Sequence, residues 1–114
     1  MLAKKHRLTL ADPLVRALFR VGRRWRGRFF PAYFDFQGEL PAVGIVVSKS
    51  LIPLASDRAT VRRALYDAVG AHLSSVENLR LVLRVHSKDI ANNREVLDKE
   101  IAALFEEIRH AKHG

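Results

Sequence analysis

Between Gly22 and Phe36 the hydrophobic period of this 114-residue chain changes from that of a helix to that of a strand. Upstream, Leu14, Val15, Leu18 and Phe19 recur on one helical face. Downstream, from Arg26 to Phe36, Arg28, Phe30, Ala32, Phe34 and Phe36 alternate with Phe29, Pro31, Tyr33 and Asp35. A period near 3.6 buries one stripe of a helix and a period of two buries one face of a sheet, so both kinds of element must share a core. The switch then repeats. Val61, Leu65, Ala68, Val69 and Leu73 form a second helical stripe, with Arg63 and Tyr66 on the opposite side and Arg62 at the border. Leu79, Leu81, Leu83 and Val85 alternate with Arg80, Val82, Arg84 and His86, which gives a strand with one greasy and one partly basic face. Leu97, Ile101, Leu104, Phe105 and Ile108 form the inward stripe of a final helix. The order helix, two or three strands, helix, strand, helix predicts a two-layer α+β sandwich, α-β-β-(β)-α-β-α, built as one domain over residues 1–114.

Local punctuation supports this division. Asp12 suits an N-cap, Pro13 the first helical position and Gly22 the left-handed residue past a helix end. Pro31 cannot donate to a ladder, so its strand is expected at an edge or with a bulge. Gln37 to Pro41 (QGELP) reads as a turn, and Ala42 to Ser48 (AVGIVVS), apolar on both faces, reads as a central strand covered on both sides. Lys49 to Asp57 is expected to be a loop or a short extra strand, Asp57 to cap the second helix and Asn93 to begin the last, where Glu95 and Lys99 form an i,i+4 pair. Residues 1–8 (MLAKKHRL) lack periodicity and are expected to form a mobile basic arm.

Charge is placed very unevenly on this frame. Lys4, Lys5, Arg7, Arg16, Arg20, Arg23, Arg24, Arg26 and Arg28 face the single acid Asp12 in the first thirty residues, giving 9 − 1 = +8, which is the net charge of the whole chain. Four of these arginines lie within six residues, where they repel one another unless an anionic partner offsets the cost. Interleaved aromatics can stack on unpaired bases while the cations neutralise phosphates, so a polyanion is the natural partner. Trp25, between the arginines, is either a stacking platform or a hydrophobic lid. The phenylalanines 29, 30, 34 and 36 read better as core.

Other classes find less support. The apolar stretch Pro41 to Val47 falls far short of the ~20 residues that cross a bilayer, and the absence of cysteine removes disulfides, thiolate metal sites and cysteine nucleophiles. A cytoplasmic protein with no membrane partner and no small-molecule substrate is expected; an organellar presequence is the weaker reading of the basic start. The acids Asp12, Asp57, Asp67, Asp98, Glu100, Glu106 and Glu107 fall at helix caps or on helix faces, Asp35 and Glu39 flank a turn, and the five histidines are scattered. No P-loop, dinucleotide fingerprint or nucleophile elbow is present, so no catalytic or metal-binding residue is assigned to the protein.

The segments KKHRLT (Lys4 to Thr9), FRVG (Phe19 to Gly22), RRWRGRFF (Arg23 to Phe30), VGIVVSKS (Val43 to Ser50) and RATVRRAL (Arg58 to Leu65), followed by a strand and an amphipathic last helix, occur in an order and spacing that resembles the protein subunit of bacterial ribonuclease P. The resemblance implies a small α/β sandwich with a left-handed βαβ crossover, acting as cofactor to a catalytic RNA that cleaves precursor tRNA with Mg²⁺ held through the RNA. It implies two RNA-facing surfaces. The docking helix and its approach map to Lys49, Arg58, Arg62 and Arg63; where the family reads Arg-Asn-Arg, an apolar residue and Lys-Arg, this chain has Arg58, Ala59, Thr60, Val61, Arg62 and Arg63. The cleft for the 5′ leader of precursor tRNA maps to Phe19 and Tyr33, with Val15 near a second family aromatic, and to cations at Lys4, Lys5, Arg7, Arg16, Arg23, Arg24, Arg26 and Arg28. A stand-alone RNA-binding module of the same fold, and a protein-only nuclease, are the alternative classes.

Overall fold

A computed structural model describes residues 13–38 and 41–113. Its elements are α1 (Pro13–Val21), β1 (Arg23–Arg26), β2 (Pro31–Asp35), β3 (Ala42–Val46), α2 (Ala55–Leu73), β4 (Arg80–Arg84), a short 3-10 helix (Lys88–Asn92) and α3 (Arg94–His113). The four strands form one sheet in the order β1-β2-β4-β3. β1 and β2 are an antiparallel hairpin, β2 and β4 are antiparallel, and β3 runs parallel to β4 across the α2 crossover.

Alternation along the strands separates the two faces. Phe30, Ala32 and Phe34, Val43 and Ile45, and Leu81 and Leu83 point to one side, where Val61, Leu65 and Val69 of α2 and Leu97, Ile101, Leu104 and Phe105 of α3 close over them in one buried cluster. Val82, of opposite parity, is buried on the other side against Val15 and Leu18 of α1, with Phe19, Tyr33 and Val46 around it. The stripes read from periodicity in α2 and α3 are thus the buried ones, and the Glu95 to Lys99 pair forms at 3.6 Å.

Several local expectations are corrected. The single strand from Arg26 to Phe36 is broken at residues 27–30, where a hairpin connection closes by Gly27 N–H donating to the Phe30 carbonyl at 2.8 Å, and the third strand is β1, not the 49–57 segment. β2 is interior; Pro31 is tolerated because it stands at the first residue of the strand, opposite Arg26. β3 is lateral: both its faces are covered, by the α2 side through Val43 and Ile45 and by the α1 side through Val46, yet only β4 pairs with it. Gly22 has no positive φ; space selects it, since a Cβ there would lie 2.7 Å from the Leu18 carbonyl oxygen where the helix passes straight into β1. α2 begins two residues before Asp57, after Leu54, whose side chain makes no capping bond; Asp57 instead places an acid in the first turn, where the helix dipole favours it. Tyr66 packs half-buried against the core, not on a solvated opposite face. The Asp12 cap lies outside the described residues.

The connections are tied by polar contacts. Asn78 adopts φ 64°, a conformation that asparagine tolerates better than most residues; its side-chain amide donates to the Gly38 carbonyl at 2.7 Å and its own carbonyl accepts from Gly38 N–H at 2.9 Å. At the C-terminal end of α3, Lys112 donates to the Glu77 carbonyl at 2.6 Å and Arg109 to the Ser75 hydroxyl at 3.2 Å. On the outer side of α3, Glu95, Asp98, Glu106 and Glu107 are exposed.

Candidate nucleic-acid interface

The hairpin register decides which arginines meet which aromatics. Arg24 stands opposite Tyr33 and Trp25 opposite Ala32, so Arg24 and Arg26 share the α1 side of the sheet while Arg23 and Trp25 lie on the α2 side. Tyr33 is in turn opposite Val82, which puts Arg80, Arg84 and His86 of the β4 segment on the same side. These rows enclose a groove of about 480 Å³ lined by Arg24, Arg26, Gly27, Pro31, Tyr33, Arg84 and His86. It adjoins a second depression of about 370 Å³ lined by Val46, Ser48, Ser50, Leu51, Arg84, Val85 and His86. Arg84 and His86 belong to both, so one channel runs from the hairpin over the end of β4 to the loop after β3.

An aromatic pair stands beside this channel. Phe19 and Tyr33 meet edge to face, their ring centroids 4.9 Å apart at 89°, a geometry worth about 0.5–1.5 kcal/mol beyond area burial. The Arg24 guanidinium lies 5.6 Å from the Tyr33 ring and that of Arg84 lies 5.9 Å from the Phe19 ring, each a cation–π contact that holds a cation next to an aromatic face. Both rings are half-buried.

Arg80 has a different task. Its Nε donates to Asp35 at 2.7 Å and its NH2 group pairs with the other carboxylate oxygen at 2.5 Å, with side chains 14% and 18% exposed. Burial alone would raise the Asp35 carboxyl, but the Arg80 hydrogen bond and charge and the Gln37 amide outweigh it and hold the group below its ordinary value of 3.8. The acid flanking the turn is therefore an internal counter-ion. No ion pair engages Arg24, Arg26 or Arg84 among the described residues.

The sequence-predicted residues are partly brought together. Arg24, Arg26 and Tyr33 line the groove, Phe19 contacts two of its lining residues, and Arg16 is exposed on α1. Lys49 is exposed between Ser48 and Ser50 of the adjoining depression. Arg23 is exposed on the other side of β1, and Arg28 lies over the Phe29 ring, 5.9 Å from its centroid. Trp25 is a lid: half-buried, it covers the edge of the core, 5.9 Å from Phe30 between ring centroids. Arg58, Arg62 and Arg63 lie on α2, across the sheet from the groove; Arg58 donates to the carbonyls of Ile52 at 2.9 Å and Pro53 at 2.8 Å, which fastens the loop entering α2. Arg84 and His86 escaped prediction, although the basic parity of their strand was visible. Lys4, Lys5 and Arg7 lie outside the described residues.

Fold and groove together define a small α+β domain with a cationic, aromatic-edged channel on one face of its sheet. Sequence comparison is more specific: the Ribonuclease P family profile matches residues 2–109, and the chain belongs to that family of ribonuclease P protein subunits. No curated protein sequence matches it. Solved structures agree in fold. A Staphylococcus aureus RNase P protein mutant with defective mRNA degradation activity superposes with a TM-score of 0.77 at 17% identity, covering 93% of this chain and 90% of that one. The Thermotoga maritima RNase P protein gives 0.74 at 17% identity, with 89% and 96% covered. The chain has the ribonuclease P protein fold and the tRNA-processing role of the family.

Proposed function

We propose that this chain grips the single-stranded 5′ leader of precursor tRNA in the groove between β1, β2 and the end of β4, while the α2 side docks on the catalytic RNA of ribonuclease P. One observation carries the reading: Arg24, Arg26 and Arg84, free of acidic partners among the described residues, surround Tyr33. Cations neutralise phosphates and an aromatic face stacks on any base, so such a groove favours single strands with little sequence preference. Arg62 and the exposed Arg63, with the loop that Arg58 holds in place, supply the docking side, and Lys49, on the loop after β3, stands at its approach. Cleavage then belongs to the RNA, with Mg²⁺ bound through it, and the protein contributes no catalytic group. Cytoplasm, where precursor tRNA is processed, is the matching compartment.

Reconstitution with a cognate catalytic RNA at low Mg²⁺ tests the reading. Added protein is expected to raise precursor tRNA cleavage, and to do so less for a precursor without a leader; no increase refutes it. A stand-alone RNA-binding role is the second reading, favoured by the absence of the family's Asn and second Arg at Ala59 and Thr60. Sequencing the RNA that copurifies from cells separates the two, because one dominant structured RNA supports the first and a random mixture the second.

A further inference from the structure

The hairpin connection of residues 27–30 is fastened to a helix far away in sequence. Both oxygens of the Glu100 carboxylate, on α3, accept backbone hydrogen bonds from this connection, Oε1 from Arg28 N–H and Oε2 from Phe29 N–H at 3.4 Å. Successive amides aimed at one carboxylate form a small anion-binding nest, and here the anion is part of the protein. Phe29 is also tied on its other side, since its carbonyl accepts from His86 N–H at 2.9 Å. The Phe29 side chain is 3% exposed and cannot swing away without opening the core.

Those three bonds converge on the point where the groove walls meet. Arg26 precedes the connection, Gly27 opens it, Pro31 follows it, and His86 is bonded to it; all four line the channel. β1, a four-residue lateral strand bearing three arginines, has only β2 beside it. Mutual repulsion among Arg23, Arg24, Arg26 and Arg28 pulls such a strand apart, and a carboxylate at its turn opposes this.

We infer that Glu100 is a positioning residue for the groove: through the amides of Arg28 and Phe29 it sets the hairpin so that Arg26 and His86 face the same strand. It touches neither RNA nor any reacting atom. The inference rests on the single-strand grip proposed above, and deepens it by naming what holds the grip open.

The test uses the full-length chain with Glu100→Ala and Glu100→Gln, binding of a short single-stranded RNA, and amide exchange in the free protein. Glutamine keeps the shape but offers one accepting oxygen for two amides, so binding should weaken in the order alanine, then glutamine, then wild type, with melting of α3 unchanged. Arg26→Ala is expected to cost the parent chain about fivefold in affinity but under about twofold in the Glu100→Ala background, the signature of coupled residues. Exchange at the His86 amide, which is linked to Glu100 only through Phe29, should accelerate in both variants. An Arg26→Ala cost that is the same in every background overturns the inference, as does unaltered exchange at His86. If the parent chain fails to bind the strand while His86 exchange does respond, the leader-grip reading is refuted and the anchoring is upheld.

Discussion

Replacing Arg84 by methionine removes one charge from the channel, and with it the guanidinium over Phe19, while keeping an unbranched apolar stem. Arg24, Arg26 and Arg84 line the groove without an acidic partner among the described residues, whereas Arg80 on the same side is matched by Asp35. Each phosphate contact to a single strand contributes about −0.7 to the slope of log affinity against log salt, so three give about −2.1 and two about −1.4. Raising salt from about 50 to about 200 mM should therefore weaken the parent groove roughly 20-fold and the Arg84→Met variant roughly sevenfold. Contacts from the basic arm would add equally to both slopes and leave their difference near 0.7. Fluorescence anisotropy with a labelled single-stranded RNA of mixed sequence, repeated over that salt series, reads both slopes. Coincident slopes would mean that Arg84 meets no phosphate, and the channel across the end of β4 would not be the path of the strand.

Tyr33→Ala should weaken the same RNA by about 1–3 kcal/mol, the worth of one stacked base, with no change of salt slope, which the same anisotropy series checks. Asp35 titrates below its ordinary value in the folded chain, so the stability it contributes is complete above the unfolded value of 3.8 and is lost as pH falls through the lower folded value. Urea unfolding followed from neutral pH down to that range should show this decline. It should be shallower in Asp35→Asn, which at neutral pH is already about 1–3 kcal/mol less stable because Arg80 loses its charged acceptor.

The helices and β4 were legible because each buries a regular stripe. Val61 to Leu73, Leu79 to Val85 and Leu97 to Ile108 all point inward as their spacing required. β1 was hidden because only Trp25 of its four residues meets the core, which leaves no alternation to detect. The lateral position of β3 was hidden for another reason: apolar residues on both faces report what lies above and below a strand, and say nothing of its neighbours within the sheet. Alternation alone puts Arg28 on the face of Phe30, but parity holds only within a strand and the connection at residues 27–30 resets it. Composition and resemblance nominate Arg24, Arg26 and Tyr33, which line the groove, and Phe19, which stands beside it. Arg84 and His86 required the antiparallel pairing of β2 with β4, which brings residues about fifty positions apart beside Tyr33 and Pro31.

On α3 the exposed acids Glu95 and Asp98 are matched by Lys99 and Arg94 of the same helix, whereas Arg24, Arg26 and Arg84 on the groove side of the sheet have no acidic partner among the described residues. A body charged in this way turns in the field of a polyanion before it touches it. On the proposed grip, the molecule approaches RNA with its groove foremost, which raises the fraction of collisions that succeed, and the gain shrinks with added salt as the field is screened within about 10 Å at 0.1 M.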